Sequence, residues 1–279
     1  MTGARRGVYF LANDGVLEQA LAFLNSFRTY HPWTPLCLVP FAGDIDALRA
    51  LRHQYEFEIF DDYAVLDRCD EIGYAFHGAA SGQYRKLAIW HGPYDEFVYI
   101  DCDTVVLHNV HFVYRYLDDY SFVTSHSHQP EIRRWVWRDS IHDVGVLTDE
   151  QVAFAANTGF IASRRGNLSL AHATARLPEA LALAAHMELT CAEQPFLNYL
   201  IVTSGAPYTS LYTIAATTGA WDLPAERWAG DPAFVVHNGR IIEPAAPTLM
   251  LHWAGEWARA RREGTTIPYH DLWSYYRHQ

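Results

Sequence analysis

The chain has 279 residues and a formal net charge of −11, with 32 acidic against 21 basic side chains, 50% hydrophobic residues and 14% aromatic ones. That apolar content excludes a disordered chain. The acidic balance argues against a general nucleic-acid binder, which needs cations to displace phosphate counterions. Among the 21 cationic side chains the only lysine is Lys86; the rest are arginine.

In chain order, residues 8–12 form an apolar run of strand type ending at the polar triplet Asn13-Asp14-Gly15. Leu17, Leu21, Leu24 and Phe27 then share one helical face, and His31-Pro32 and Thr34-Pro35 stop the helix. Residues 36–39 predict a second strand, Asp44 an N-cap for a helix carrying Ile45, Leu48 and Leu51, and residues 57–60 a third strand. Residues 81–91 predict a helix with Leu87 and Trp90 inward, and residues 97–100 a fourth strand. Strands alternating with helices at this cadence predict an α/β fold, a mostly parallel central sheet with helices on both faces and ligands at the carboxyl ends of the strands.

The second half is less regular. Strands are expected at 121–124 and 158–162, and helices at 170–186 and 192–202. Late strands are expected at 234–236 and 248–251, and a terminal helix at 253–262. A polar, tryptophan-bearing insertion near residues 125–150 reads as a loop or lid, with His126 and His128 exposed. Without a Pro-, Gly- or Ser-rich linker, one domain over 1–279 is expected, with a regular first half (7–107) and a less regular second half (108–279) that carries the insertion. No signal-peptide apolar region or membrane-length run is read. Cys37, Cys69, Cys102 and Cys191 form no CxxC pair, so a reducing cytoplasm is the expected setting. The 15 histidines show no HExxH spacing.

The chemistry concentrates at Asp101-Cys102-Asp103, directly after an apolar strand. In extended chain two carboxylates one residue apart point to the same side. Adjacent anions repel unless a cation joins them, so a hard divalent metal is the natural partner, and it would recruit a diphosphate. A polar loop closing the strand is the plainer alternative.

Further motifs in the chain follow one order: Asn13-Asp14 after the first strand, Lys86-Leu87 ahead of the Asp-x-Asp strand, Asn157-Thr158-Gly159, Glu193-Gln194 opening a helix with Leu197-Asn198, and His252-Trp253-Ala254-Gly255. In this series the sequence resembles the glycogenin-like retaining glycosyltransferases of the GT-A fold. The resemblance implies metal ligation (Mn²⁺ or Mg²⁺) by Asp101, Asp103 and His252, with Asp101 also reaching the ribose. It implies a nucleotide-sugar donor, a UDP-sugar by preference, held by Phe10, Ala12, Asn13, Val16, Lys86, Asp101, Cys102, Gly159 and Gly255. Gln194, Glu193 and Asn157 would serve the sugar ring. The acceptor, a glycan, peptide or small molecule, is not specified, nor is the oligomeric state.

The chain departs from the family pattern at three places. Glu193 stands where the family has aspartate, Val16 where it has an aromatic against the base, and Ala258 where it has a lysine on the diphosphate. Arg259, Arg261 or Arg262 could replace that cation or form a solvated helix end. Trp135, Trp137, Trp221, Trp228, Trp253, Trp257 and Trp273 are sugar platforms or core residues, and Arg133-Arg134-Trp135 could line an acceptor cleft. Alternatives are a nucleotide-sugar-binding protein that has lost catalysis, and a sugar-phosphate nucleotidyltransferase, which the single glycine after the first strand disfavours.

Overall fold

The structure is a computed structural model that describes residues 3–231, 235–237, 240–242 and 247–279. Its centre is a seven-stranded sheet of β1 (Arg6–Ala12), β2 (Leu36–Pro40), β3 (Phe57–Ile59), β4 (Glu96–Ile100), β6 (Phe122–Thr124), β7 (Phe160–Arg164) and β8 (Tyr208–Ser210), in the order β3-β2-β1-β4-β7-β6-β8. The first four strands are parallel. β7 runs antiparallel to both β4 and β6, and β6 pairs parallel with β8. The expected mostly parallel sheet therefore holds, with β7 as the reversed strand.

Alternation along β1 divides its side chains between two cores. Tyr9 and Leu11 join the core on one face, and Val8, Phe10 and Ala12 the core on the other. A strand covered on both faces must be apolar throughout, which is why it was legible as a continuous run. The second core is closed by α1 (Leu17–Tyr30), where Leu24 and Phe27 are buried with Ala20 and Phe23, and by α2 (Asp46–Leu51). Asp44 does not cap α2. The Asp14 carboxylate does, accepting from the N–H groups of Ala47 and Leu48 at 3.0 and 3.1 Å. On the opposite face lie α3 (Tyr63–His77), which the sequence reading passed over, and the expected helix at Gly82–His91, which is 3₁₀ with Leu87 and Trp90 buried.

The segment near 125–150 is not a bare loop. It contains α4 (Pro130–Arg133), α5 (Ile141–Val144) and α6 (Asp149–Phe154), and Val136, Trp137 and Ile141 anchor it in the core. His128 is exposed as expected, whereas His126 is half-buried. α7 (Leu170–Leu183) and α8 (Gln194–Val202) match expectation; α9 (Leu211–Thr218) and β8 were not foreseen.

A second sheet has three strands, β5 (Thr104–Val106), β9 (Ala225–Trp228) and β12 (Thr248–His252), with β12 central, antiparallel to β5 and parallel to β9. Between β9 and β12, β10 (Val235–His237) pairs with β11 (Arg240–Ile242); of the strand expected at 234–236, Phe234 lies outside the described residues. The expected last helix is α10 (Glu256–Glu263), and α11 (His270–Arg277) follows it. Ala22 of α1, Val105, Leu251, Trp253 and Leu272 form a third core that binds the second sheet to the first. Among the described residues no helix is long and apolar enough to cross a membrane.

Candidate metal and donor-sugar site

β4 ends at Ile100 and β5 starts at Thr104, so Asp101 and Asp103 sit in a bend and not in extended chain. The expectation of two side chains projecting from one strand is corrected: the bend converges them. It is fixed by three bonds, from Asp101 N–H to the Gly159 carbonyl (2.9 Å), from Thr104 Oγ1 to the Asp101 carbonyl (2.8 Å) and from Trp253 N–H to the Asp103 carbonyl (3.0 Å). The last β12 residue, His252, meets the pair. Its Nε2 lies 3.1 Å from Asp103 Oδ1 and 3.8 Å from Asp101 Oδ2, and one ligand atom from each of the three residues lies within 4.8 Å of the others.

Gly159 approaches this cluster closely. A Cβ there would fall 2.4 Å from His252 Cε1 and 2.9 Å from Asp101 Oδ2. The glycine was expected to admit the donor sugar; its close approach is to the metal-ligand candidates themselves. Beside it, Asn157 Oδ1 accepts from Gly159 N–H at 2.9 Å and Nδ2 donates to Glu226 Oε1 at 2.7 Å. One N–H and one lone pair of the amide are left for a ligand.

Lys86 is buried at the centre of the arrangement, not on a helix surface. Its ammonium donates to Glu193 Oε1 at 2.5 Å and to the Thr158 carbonyl at 3.2 Å. It also lies 3.3 Å from Asp101 Oδ1 and 4.7 Å from the centre of the Tyr99 ring, whose hydroxyl donates to Asp101. Burial pulls the ammonium's pKa down, but Asp101 and Glu193 outweigh it, leaving the value above that of an ordinary lysine. Glu193, immediately before α8, is buried against Lys86, so it is not a solvated first-turn carboxylate. Gln194 Oε1 accepts from Thr158 N–H at 3.2 Å and Nε2 donates to the Trp135 carbonyl at 3.1 Å. Ala192, just ahead of this pair, has φ of 51°, a backbone conformation that disfavours a side chain.

One buried carboxylate was not anticipated. Glu226 on β9 accepts from His252 Nδ1 at 2.6 Å as well as from Asn157. Burial would raise its pKa, but His126 and His252 hold it far below the ordinary carboxylate range. Burial likewise opposes charge on His252, while Asp103 and Glu226 raise its pKa well above the usual imidazole value. Four carboxylates (Asp101, Asp103, Glu193 and Glu226) thus converge on one ammonium and two imidazoles, those of His252 and His126. This negative excess and the mixed oxygen and nitrogen donor set suit a divalent cation such as Mn²⁺ or Mg²⁺.

The expected nucleotide-side residues divide. Ala12, Val16 and Cys102 belong to or pack against one core cluster. Asn13 spends its amide locally, donating to the Ala42 carbonyl at 2.5 Å and accepting from Gly15 N–H at 3.0 Å. Phe10 is a core residue with 0% exposure between Phe23 and Phe57, so its side chain offers no surface to a nucleotide. Gly255, with φ of 75°, starts α10. On that helix Arg259 pairs with Glu256 at 2.7 Å, while Arg261 and Arg262 are exposed. Trp137 and Trp253 are core, Trp257 and Trp273 pack on each other at 5.0 Å, and Trp135, Trp221 and Trp228 are exposed.

No protein-family model and no curated protein sequence matches the chain. Solved structures do. WbbM, a bifunctional glycosyltransferase, superposes with a TM-score of 0.63 at 13% identity over 100% of this chain and 50% of its own. Mouse xyloside xylosyltransferase 1 gives 0.56 at 13% identity over 88% of this chain and 97% of its own. The galactosyltransferase LgtC, solved with donor and acceptor sugar analogues, gives 0.55 at 14% identity over 95% and 98%. The chain has the GT-A glycosyltransferase fold. It spans only half the length of WbbM and 61% of GlyE from Streptococcus pneumoniae. In open α/β sheets ligands lie outside the carboxyl ends of the parallel strands, and Asp101 follows the end of β4.

Proposed function

We propose that the chain is a metal-dependent retaining glycosyltransferase of the glycogenin-like kind, one catalytic unit that moves a sugar from a nucleotide-diphosphate donor, a UDP-sugar by preference, to an acceptor hydroxyl. The observation that carries this reading is the convergence of Asp101, Asp103 and His252 on one point, with Lys86, Glu193, Gln194 and Asn157 around it. Retaining transfer passes through a transition state positive at the sugar ring and negative on the departing phosphate. Mn²⁺ or Mg²⁺, held by Asp101, Asp103 and His252, would supply charge to the diphosphate.

The remaining work falls to the chain's own groups. Lys86 pins the Thr158 carbonyl, Glu193 and Asp101 in one rigid array, so that the metal side and the sugar side keep their spacing. Gln194 and Asn157 present amide groups from the wall beside Thr158, and Glu193 keeps a carboxylate near the ring face, where positive charge develops. The exposed ring of Trp135, whose carbonyl Gln194 holds, would supply a face on which an acceptor sugar could stack.

A panel of UDP-, GDP- and dTDP-sugars with Mn²⁺ tests this reading by thermal shift and slow donor hydrolysis. At least one donor should raise Tm only with metal, and Asp103→Ala should abolish the rise. No shift and no hydrolysis with any donor would overturn the proposal.

A further inference from the structure

Glu226 has no place in the motif series that carries the family resemblance, yet it is among the most enclosed charges of the site, its side chain 4% exposed. It stands on β9, beside β12 in parallel register. Its Oε1 receives two donors, Nδ1 of His252 at 2.6 Å and Nδ2 of Asn157 at 2.7 Å. Its Oε2 receives the Ser125 hydroxyl and faces Nδ1 of His126 at 3.9 Å.

Such a group is a poor device for stability alone, since a buried carboxylate loses its hydration and recovers it only through well-made bonds. It is a good device for orientation. An imidazole that donates from Nδ1 to a carboxylate is held in one ring orientation and presents Nε2 to whatever lies opposite. Opposite His252 lie Asp101 and Asp103. The same oxygen holds the Asn157 amide, and Asn157 in turn fixes the Gly159 N–H. Gly159 packs directly against His252 and Asp101, at a distance that would not admit a Cβ.

We propose that Glu226 is a positioning residue that ties the imidazole of His252 to the amide of Asn157, so that metal affinity and donor-sugar placement are set together. This rests on the metal-site reading above. Glutamine is an incomplete substitute: its oxygen can still accept from His252 and Asn157 and its NH₂ can donate to a rotated Ser125 hydroxyl, but the carboxylate charge that holds the imidazole is gone.

The test is Mn²⁺ alone, titrated onto the full chain and followed by the electron paramagnetic resonance of the free ion, for wild type, Glu226→Gln and Glu226→Asp. Glu226→Gln should weaken Mn²⁺ binding about 10–100-fold, with metal-free Tm close to wild type and donor KM raised in parallel. Glu226→Asp, which keeps the carboxylate, should recover part of both. Mn²⁺ affinity in Glu226→Gln equal to wild type overturns the coupling and leaves the transferase reading standing. A wild type that binds Mn²⁺, more weakly in Glu226→Gln, yet turns over no donor overturns the transferase reading and leaves the coupling. Failure of both variants to fold assigns Glu226 to structure alone, and a wild type that binds no Mn²⁺ removes the proposal with the metal site.

Discussion

The pocket around Lys86 is built for a compact cation. Three oxygens and the face of Tyr99 surround a single nitrogen, with Glu193 at 2.5 Å, Thr158 at 3.2 Å and Asp101 at 3.3 Å. A guanidinium would need a planar fork in the same space. Lys86→Arg should therefore reduce donor turnover about tenfold or more, the cost of roughly 1.4 kcal/mol in the transition state; unchanged hydrolysis rates would return this lysine to ordinary composition. Gly159→Ala acts on the same site from the backbone. The added methyl would press on His252 and Asp101, so Mn²⁺ affinity should fall while circular dichroism stays native, and an unaltered titration would contradict the close approach. At this scale the aspartate pair and the lysine were legible because their neighbours in sequence frame them. Glu226 was not: His252 lies 26 residues later and Asn157 69 residues earlier. Ala225-Glu226-Arg227-Trp228 carries no local sign of burial, because only the tertiary fold brings its partners to it.

At the level of elements, one helix end is closed by a group from elsewhere in the chain. α2 was legible by its apolar spacing, but its cap was assigned to the nearest aspartate when the acceptor is Asp14, across the loop from β1. Asp14→Ala should cost about 1 kcal/mol, the usual loss of an N-cap. A urea titration checks it, and a change within error would mean water takes over both amide N–H groups. α3 was overlooked although Asp62 caps its start and Gly78 ends it in a left-handed turn. Of its apolar positions, Leu66, Cys69 and Ile72 are separated by charged pairs, Asp67-Arg68 and Asp70-Glu71, that mask the stripe leading to Phe76. The short strands β8 and β9 escaped for the opposite reason: Tyr208-Thr209-Ser210 and Ala225-Glu226-Arg227-Trp228 hold too few apolar residues to stand out, unlike the equally brief β6. Near 125–150, polar composition concealed a few deep anchors, Val136, Trp137 and Ile141.

For the molecule as a whole, histidine burial sets the response to acid. Burial pushes the imidazole of His31 from 6.5 down to about 4, and partial desolvation also lowers the more exposed His91, His111, His128 and His172. Below 6.5 the unfolded chain takes up protons that these folded sites refuse. The stability they contribute is therefore full above that pH and is lost as pH falls, for His31 towards about 4. His252 has the opposite sign: raised by its carboxylates, it favours the folded state in acid and withdraws that support as pH rises through its folded pKa. The depressed group is larger. Between about pH 7 and about pH 4.5, His31 alone should account for a loss on the order of 2 kcal/mol. In His31→Gln, which keeps an acceptor for the Val110 N–H now bound by Nε2 at 3.1 Å, the urea-derived stability should vary less over that range. Identical slopes would show that His31 protonates without penalty.

The three-stranded sheet has a consequence for how the molecule reaches its working state. β5, β9 and β12 come from residues 104–106, 225–228 and 248–252, so the sheet cannot close until the chain has returned from its far end. Contacts at such separation form late, because the intervening loop must first lose its freedom. A chain halted before β12 would hold Asp101 and Asp103 beside Lys86 but lack His252, and like charges would drive the bend apart. If the site holds the proposed metal, ion capture signals completed folding. Mn²⁺ added during refolding should bind in the slowest phase, after the central sheet has already recovered its circular dichroism.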